Sequence, residues 1–254
     1  MNMRMVPGKT LTVIVGYCGL AFSQQWHVLF DGKTYQGWEP PPGSSFAIED
    51  GCLKANAKPQ ITEDLFTKEV YRDFDLEFDW KISPGGNSGV KYRIQDRVML
   101  AAESGGRFED RVIAAMKNRR SDRPAKGQEY VIGFEYQITD NSKNTDAARN
   151  GALHQAAALY DMFAASKDVT RAVGEFNRAR IVVKGDHVEH WLNGTKVVDG
   201  SLKSPEVAGS TAKRWGEGSP VYDLLVNQPR QDGQISLQNH GDLAWFKNIR
   251  IRKL

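Results

Sequence analysis

The sequence predicts an all-β fold, an antiparallel sandwich of two sheets, on three observations. Apolar and polar residues alternate through several short runs, the period of strands that bury one face. Dipeptides that favour tight hairpins separate those runs. No strand–helix–strand alternation, the mark of a parallel sheet, interrupts them. At 254 residues the chain fits one large sandwich domain.

The first 23 residues read as a secretory signal. Arg4 and Lys9 give a basic start, Leu11 to Phe22 is apolar, and Ala21-Phe22-Ser23 offers small residues for cleavage. The apolar run is too short to span a bilayer comfortably. Cys18 suggests a lipoprotein instead, but the bulky Tyr17 before it disfavours that. A secreted or periplasmic protein is therefore expected, its single sandwich domain running over 24–254. Cleavage leaves Cys52 as the one cysteine, so no internal disulfide can form. It also removes two cations, leaving 32 against 31 acids. That balance gives no argument for a nucleic-acid or membrane partner, and no later apolar run reaches spanning length.

Residues 74–82, "FDLEFDWKI", alternate strictly, with Phe74, Leu76, Phe78 and Trp80 on one face. Residues 88–95, "SGVKYRIQ", set Val90, Tyr92 and Ile94 opposite Lys91, Arg93 and Gln95. Residues 179–200 read as three strands joined by Gly-Asp and Asn-Gly turns, and 233–254 as two final strands. Residues 97–129 depart from the pattern. They hold a helix-like piece near 107–118 and a basic run at Lys117, Arg119, Arg120 and Arg123, and are expected as an exposed, partly helical insertion. Residues 141–158 form a second long connection, of the kind that builds sites at strand ends.

"GFEYQITDN" (133–141) sets the functional question. Phe134, Tyr136 and Ile138 make an apolar face; Glu135, Gln137 and Thr139 make the other, closed by Asp140 and Asn141. The polar face is either the solvated back of a sheet or the floor of a groove.

Taken in order, "LFDGKTYQGWEP", "FAIEDGCLKA", "LFTKEVYRDFDLEFDWKISPGGNSGVKYRIQ", "GFEYQITDN", "ALYDMF", "GEFNRARIVVKGDHVEHWLNGTKVVDG" and "ISLQNHGDLAWFKNIRIRKL" resemble the 3-keto-disaccharide hydrolase domain family. The resemblance runs from about Trp26 to Leu254. It implies a concanavalin-like jelly roll of two curved sheets, exported from bacteria. It also implies action on glycosides whose C3 hydroxyl has been oxidised to a ketone. The chain departs from the family mainly at 97–129.

A C3 ketone opens a route to glycosidic cleavage that differs from the usual carboxylate pair. It acidifies the C2 proton, so a base can form an enolate that expels the C1 substituent. Water then adds to the enone. The site needs a base, an acid, and a cationic or hydrogen-bonding clamp on the enolate oxygen. It needs no metal or nucleotide. The histidines and cysteine show no zinc spacing, and no dinucleotide fingerprint, P-loop, EF-hand loop or nucleophile elbow is present.

The resemblance and the neighbouring Gln137 make Glu135 the expected base. His190 is the expected acid or its partner, or else a structural histidine bonded to backbone. Arg93 is a catalytic candidate with Lys91 beside it; the pair either clamps sugar and enolate oxygens or bridges Glu77 and Glu135. Gln137, Asn87, Asp140 and His240 are candidate substrate contacts, although turn chemistry is the first reading of Asn87 and His240. Tyr160 offers a flat face for a sugar, while alternation puts Trp191 opposite His190. A small sugar or glycoside is thus the expected partner. A non-catalytic sugar-binding module is the alternative, and it gains if Glu135 and His190 belong to different sheets.

Overall fold

A computed structural model describes residues 1, 25–41, 43–102 and 105–254. Apart from Met1, the expected signal segment and Cys18 lie outside the described residues. The chain makes strands β1 (His27–Val28), β2 (Trp38–Glu39), β3 (Phe46–Glu49), β4 (Cys52–Ala55), β5 (Ile61–Thr62), β6 (Leu65–Thr67) and β7 (Phe74–Ile82). After β8 (Asn87–Ala101) and helix α1 (Phe108–Lys117) come β9 (Gly127–Thr139) and α2 (Thr145–Asn150). Strands β10 (Asn177–Lys184), β11 (His187–Leu192) and β12 (Thr195–Ser201) follow. The chain ends with α3 (Pro205–Trp215), the single turn α4 (Pro220–Tyr222), β13 (Ser236–Leu237) and β14 (Ala244–Lys253).

Two sheets form the sandwich. One runs β12-β11-β10-β7-β14-β4-β3, with β1 on β14; the other runs β2-β6-β13-β8-β9-β5. All pairs are antiparallel except β5 on β9. The core lies between the sheets because the alternating apolar faces meet there. Phe74, Leu76, Phe78 and Trp80 from β7 face Val90 and Tyr92 from β8 and Phe134, Tyr136 and Ile138 from β9, all buried. Asn193 and Gly194 both take positive φ (48° and 82°) between β11 and β12, the conformation of a two-residue hairpin turn.

The polar face of β7 is an ion-pair ladder. Asp75 is fully buried there, between Arg180 (Nε–Oδ1 2.6 Å) and Arg252 (Nη2–Oδ2 2.6 Å). Glu77 pairs with Arg178 and Arg250 in the next rung.

Residues 97–129, read in the sequence as an insertion, begin and end as sheet. Val98 and Leu100 on β8 are buried, and Val112 of α1 is wholly buried in the main core. The basic run remains outside: Arg119 pairs with Asp96 and Arg120 with Asp122 at the surface, while Arg123 reaches back to Glu63 at 2.6 Å.

Candidate active site

Alternation on β9 fixes the floor of the site. With Phe134, Tyr136 and Ile138 committed to the core, Glu135 and Gln137 face out of the sandwich into a groove of about 440 Å³. Strand β8 supplies the partner, since Lys91 lies opposite Glu135 in register. Its ammonium is 3.7 Å from Glu135 Oε2 and donates to the Val131 carbonyl at 3.2 Å. Gly89 makes room for the carboxylate, because a Cβ there would fall 2.3 Å from Glu135 Oε1.

Burial pushes the Glu135 carboxyl above its usual range; Lys91 pulls it back only in part, because Asp64 and Asp146 add negative charge. Burial alone would lower the Lys91 pKa, but Glu135 and Asp64 outweigh it and raise it, which favours the charged ammonium. Two carboxylates thus share one ammonium. Asp64 is itself buried and raised, accepting hydrogen bonds from Ser236 Oγ (2.9 Å) and the Asn239 amide (3.3 Å).

The 141–161 connection walls one side. Its Ala157–Tyr160 stretch docks on β9: the Ala157 amide donates to the Gln137 carbonyl, and the Tyr160 amide donates to that of Glu135 at 3.0 Å. Ala156, Ala157 and Ala158 are buried, and their small side chains permit this close approach. Tyr160 is thereby fixed beside Glu135, with its hydroxyl donating to Asp146 Oδ2 at 3.1 Å. His154 clasps the connection, Nδ1 to Asp146 (2.8 Å) and Nε2 to Asp161 (2.9 Å). Burial opposes its charge, yet the two carboxylates raise it to about 9. In turn His154 holds Asp146 down at about 2, against the opposing effect of burial. Arg214, in the last turn of α3, closes the wall, 3.0 Å from Asp161 and over the Tyr160 ring.

The groove brings together six of the expected residues: Glu135, Lys91, Gln137, Asn87, Tyr160 and His240. Asn87 Oδ1 and the unforeseen Gln238 Oε1 are buried there without a hydrogen-bond partner among the described residues. Both are acceptors suited to sugar hydroxyls. His240 stands exposed at the mouth.

Three expected residues do not belong. His190 is on β11 and faces the inter-sheet core, fully buried. Its Nδ1 donates to the Ala157 carbonyl (2.9 Å), which leaves Nε2 to accept from the Tyr92 hydroxyl (2.9 Å). Burial lowers it to about 4, so it is a neutral structural histidine. Glu135 on β9 and His190 on β11 belong to different sheets, the arrangement expected to favour the sugar-binding alternative, and the expected base–acid pairing does not form. Arg93 is turned away by a bulge. Register passes from Tyr92↔Phe134 to Asp96↔Ile132, and Arg93 takes φ 50°, which breaks the alternation that would place it beside Lys91. It donates instead to Gln231 Oε1 (2.7 Å), the Gly185 carbonyl (2.9 Å) and Asp73 (3.3 Å). Asp140 is spent on turn structure, accepting from the amides of Ser142 and Lys143 in its own loop and of Gly85 in the β7–β8 turn.

Asp64, Glu129, Asp146 and Arg214 line the groove without having been foreseen. Glu129 was within reach of the alternation argument, two residues per step from Glu135. Arg214 lay on a helix whose signals are plain: Ser204 caps it, Pro205 opens it and Gly216 ends it. Among the described residues, His187, Glu189 and Asp199 approach one another as metal ligands would, but on the surface of the other sheet, with Glu189 and Asp199 already paired with Lys196 and His187 with Asp199.

Comparison with known proteins accords with this architecture. Residues 25–252 match the 3-keto-alpha-glucoside-1,2-lyase-like domain. A 3-keto-disaccharide hydrolase from Bacteroides thetaiotaomicron is 31% identical over 242 residues, covering 89% of this chain and 77% of that protein. Two solved structures of candidate glycosyl hydrolases from Parabacteroides distasonis share the fold. One has a TM-score of 0.66 at 24% identity, covering 90% of this chain and 94% of its own. The other has a TM-score of 0.59 at 27% identity, covering 91% and 100%. This chain belongs to the 3-keto-alpha-glucoside-1,2-lyase-like domain family, a family of carbohydrate-cleaving enzymes.

Proposed function

We propose that the protein cleaves 3-keto-glycosides by elimination and hydration, with Glu135 as the base. The observation that carries this reading is the Glu135–Lys91 pair: a carboxylate of raised proton affinity 3.7 Å from a buried, charged ammonium, at the floor of a polar groove. Glu135 removes the C2 proton. The electron pair forms the C2–C3 enolate, whose oxygen lies against the Lys91 ammonium, a preorganised charge where negative charge develops. Collapse of the enolate restores the C3 carbonyl, forms the C1–C2 double bond and expels the C1 oxygen with its substituent. His240, at the mouth, supplies the departing oxygen with a proton in this scheme, a part that His190, enclosed in the core, cannot take; desolvation and the Lys91 charge hold His240 below its ordinary pKa, so the step is favoured at acidic pH. Water adds at C1 of the enone, its second proton passes back to His240, and Glu135 returns its proton to C2. The sum is hydrolysis. Asn87 and Gln238 accept from the ring hydroxyls.

The test is incubation of the purified protein with 3-keto-glucosides and with their unoxidised parents, followed by product analysis. Cleavage confined to the ketones is expected. Equal cleavage of the parents would point to a conventional two-carboxylate glycosidase, and binding of either sugar without cleavage to a sugar-binding module.

A further inference from the structure

Helix α1 gives the groove a wall that the proposed chemistry does not use. Its first residue, Phe108, is half-buried and lines the groove, with its ring edge-on to Tyr130 at 5.0 Å between centroids. Tyr130 carries the wall on to Trp215 of α3, at 5.8 Å. Arg214 locks the two helices, its Nε 3.5 Å from Glu109 and its guanidinium 5.0 Å over the Trp215 ring. These are rigid aromatics held on both sides, which lose little freedom when a flat ring packs on them.

The wall stands one ring away from the base. Lys91 Nζ is 5.0 Å from the Tyr130 centroid and 3.7 Å from Glu135 Oε2, so the two are at most 8.7 Å apart. A sugar whose C2 meets Glu135 would direct its C1 substituent along the groove. The groove volume, about 440 Å³, is within the ~300–1,000 Å³ that holds a drug-sized ligand, more than one sugar ring fills. Charge narrows the choice of occupant. Lys91 and Arg214 line the groove but are already engaged by Glu135 and by Asp161 and Glu109, while Glu129, raised to about 7 chiefly by burial, and the buried Asp64 add acids, so the lining offers an anionic group no uncommitted cation among these residues.

We propose that Phe108 and Tyr130 form a leaving-group subsite for an uncharged ring, aromatic or sugar, and that Phe108 sets the preference among leaving groups. The inference rests on the reading of the groove as a 3-keto-glycoside site, and it names the substrates that site favours.

The test separates the two. Binding of the unoxidised methyl, phenyl and 4-carboxyphenyl α-glucosides and of a glucosyl disaccharide is measured by calorimetry on wild type, Phe108→Ala and Phe108→Leu. Turnover of the corresponding 3-keto compounds is measured in parallel, and circular dichroism checks the folds. Wild type should bind the phenyl glucoside or the disaccharide about 10-fold more tightly than the methyl glucoside, the scale of an aromatic contact. Phe108→Ala should erase that preference and leave methyl binding unchanged; Phe108→Leu should retain part of it. The carboxyphenyl compound should bind less well than the phenyl, and Glu129→Gln should narrow the gap. With the ketones, the loss in Phe108→Ala should fall on KM. Equal weakening of methyl and phenyl, a preference that survives in folded Phe108→Ala, or no binding of any of the four by wild type overturns the subsite. A preference that falls with Phe108 while no ketone turns over leaves the subsite standing and sinks the catalytic reading.

Discussion

Glu135 owes its position to three neighbours: Lys91 across the ladder, Tyr160 bonded to its backbone, and Gly89 beneath its carboxylate. Gly89 gives the sharpest residue-scale prediction. In Gly89→Ala the new methyl meets Glu135 Oε1 at 2.3 Å, and the end of a flexible side chain gives way before the strand does. Turnover of a 3-keto-glycoside should fall about 10²-fold, the scale of an ångström's misplacement of a catalytic group, while the unfolding midpoint moves little. Unchanged turnover would place the working position of the carboxylate elsewhere. Residue by residue, the sequence carried Glu135, Gln137 and Lys91, because strict alternation of a strand states which side each faces. It misled at Arg93, where one positive φ inside a bulge undoes the alternation. It also misled at His190, where alternation says which face the ring is on but not whether that face is core or groove.

Among elements, the connection after β9 does most to shape the site, and no periodicity announces it. Its geometry depends on the His154 clasp, a cation between Asp146 and Asp161. The sign of the pH dependence follows from the shift. The folded-state value, about 9, lies above the ordinary value near 6.5, so the clasp contributes fully below pH 6.5 and fades as pH rises through 9. His154→Asn should therefore lower the unfolding midpoint by about 5 °C at pH 6, with the gap to wild type closing by pH 10. A gap that stays constant with pH would show that the contribution is packing rather than charge. Helix α3, which brings Arg214 to the same wall, was not read from the sequence, although its cap, its proline and its terminal glycine are there to mark it. What it would pack on is not marked, because an amphipathic helix does not name its partner. The same holds for α1: its helical piece could be seen, but Val112 buries into the core and Phe108 borders the groove only once β8 and β9 are extended on either side of it.

For the molecule as a whole, two sheets with their apolar faces together make the fold readable from a period of two. The site is assembled from chain segments far apart: Asp64 before β6, Lys91 on β8, Glu135 on β9, Tyr160 in the connection, Arg214 on α3 and His240 before β14. No local pattern records that convergence, which is why its floor was legible while, of the rest, Tyr160, Asn87 and His240 were expected and Asp64, Glu129, Asp146 and Arg214 were not. The sandwich also divides the molecule chemically. Between the sheets His190 is held neutral; outside, Glu135 and Asp64 share the charge of Lys91. The central claim is that Glu135 takes the C2 proton, and exchange of that proton reports it without waiting for bond cleavage. The measurement is deuterium incorporation at C2 of a 3-keto-glucoside in D₂O, followed by NMR with wild type and Glu135→Gln. The account predicts exchange with wild type and a loss of about 10²-fold or more in a folded Glu135→Gln that still binds the sugar. Exchange at the wild-type rate in that variant would contradict it.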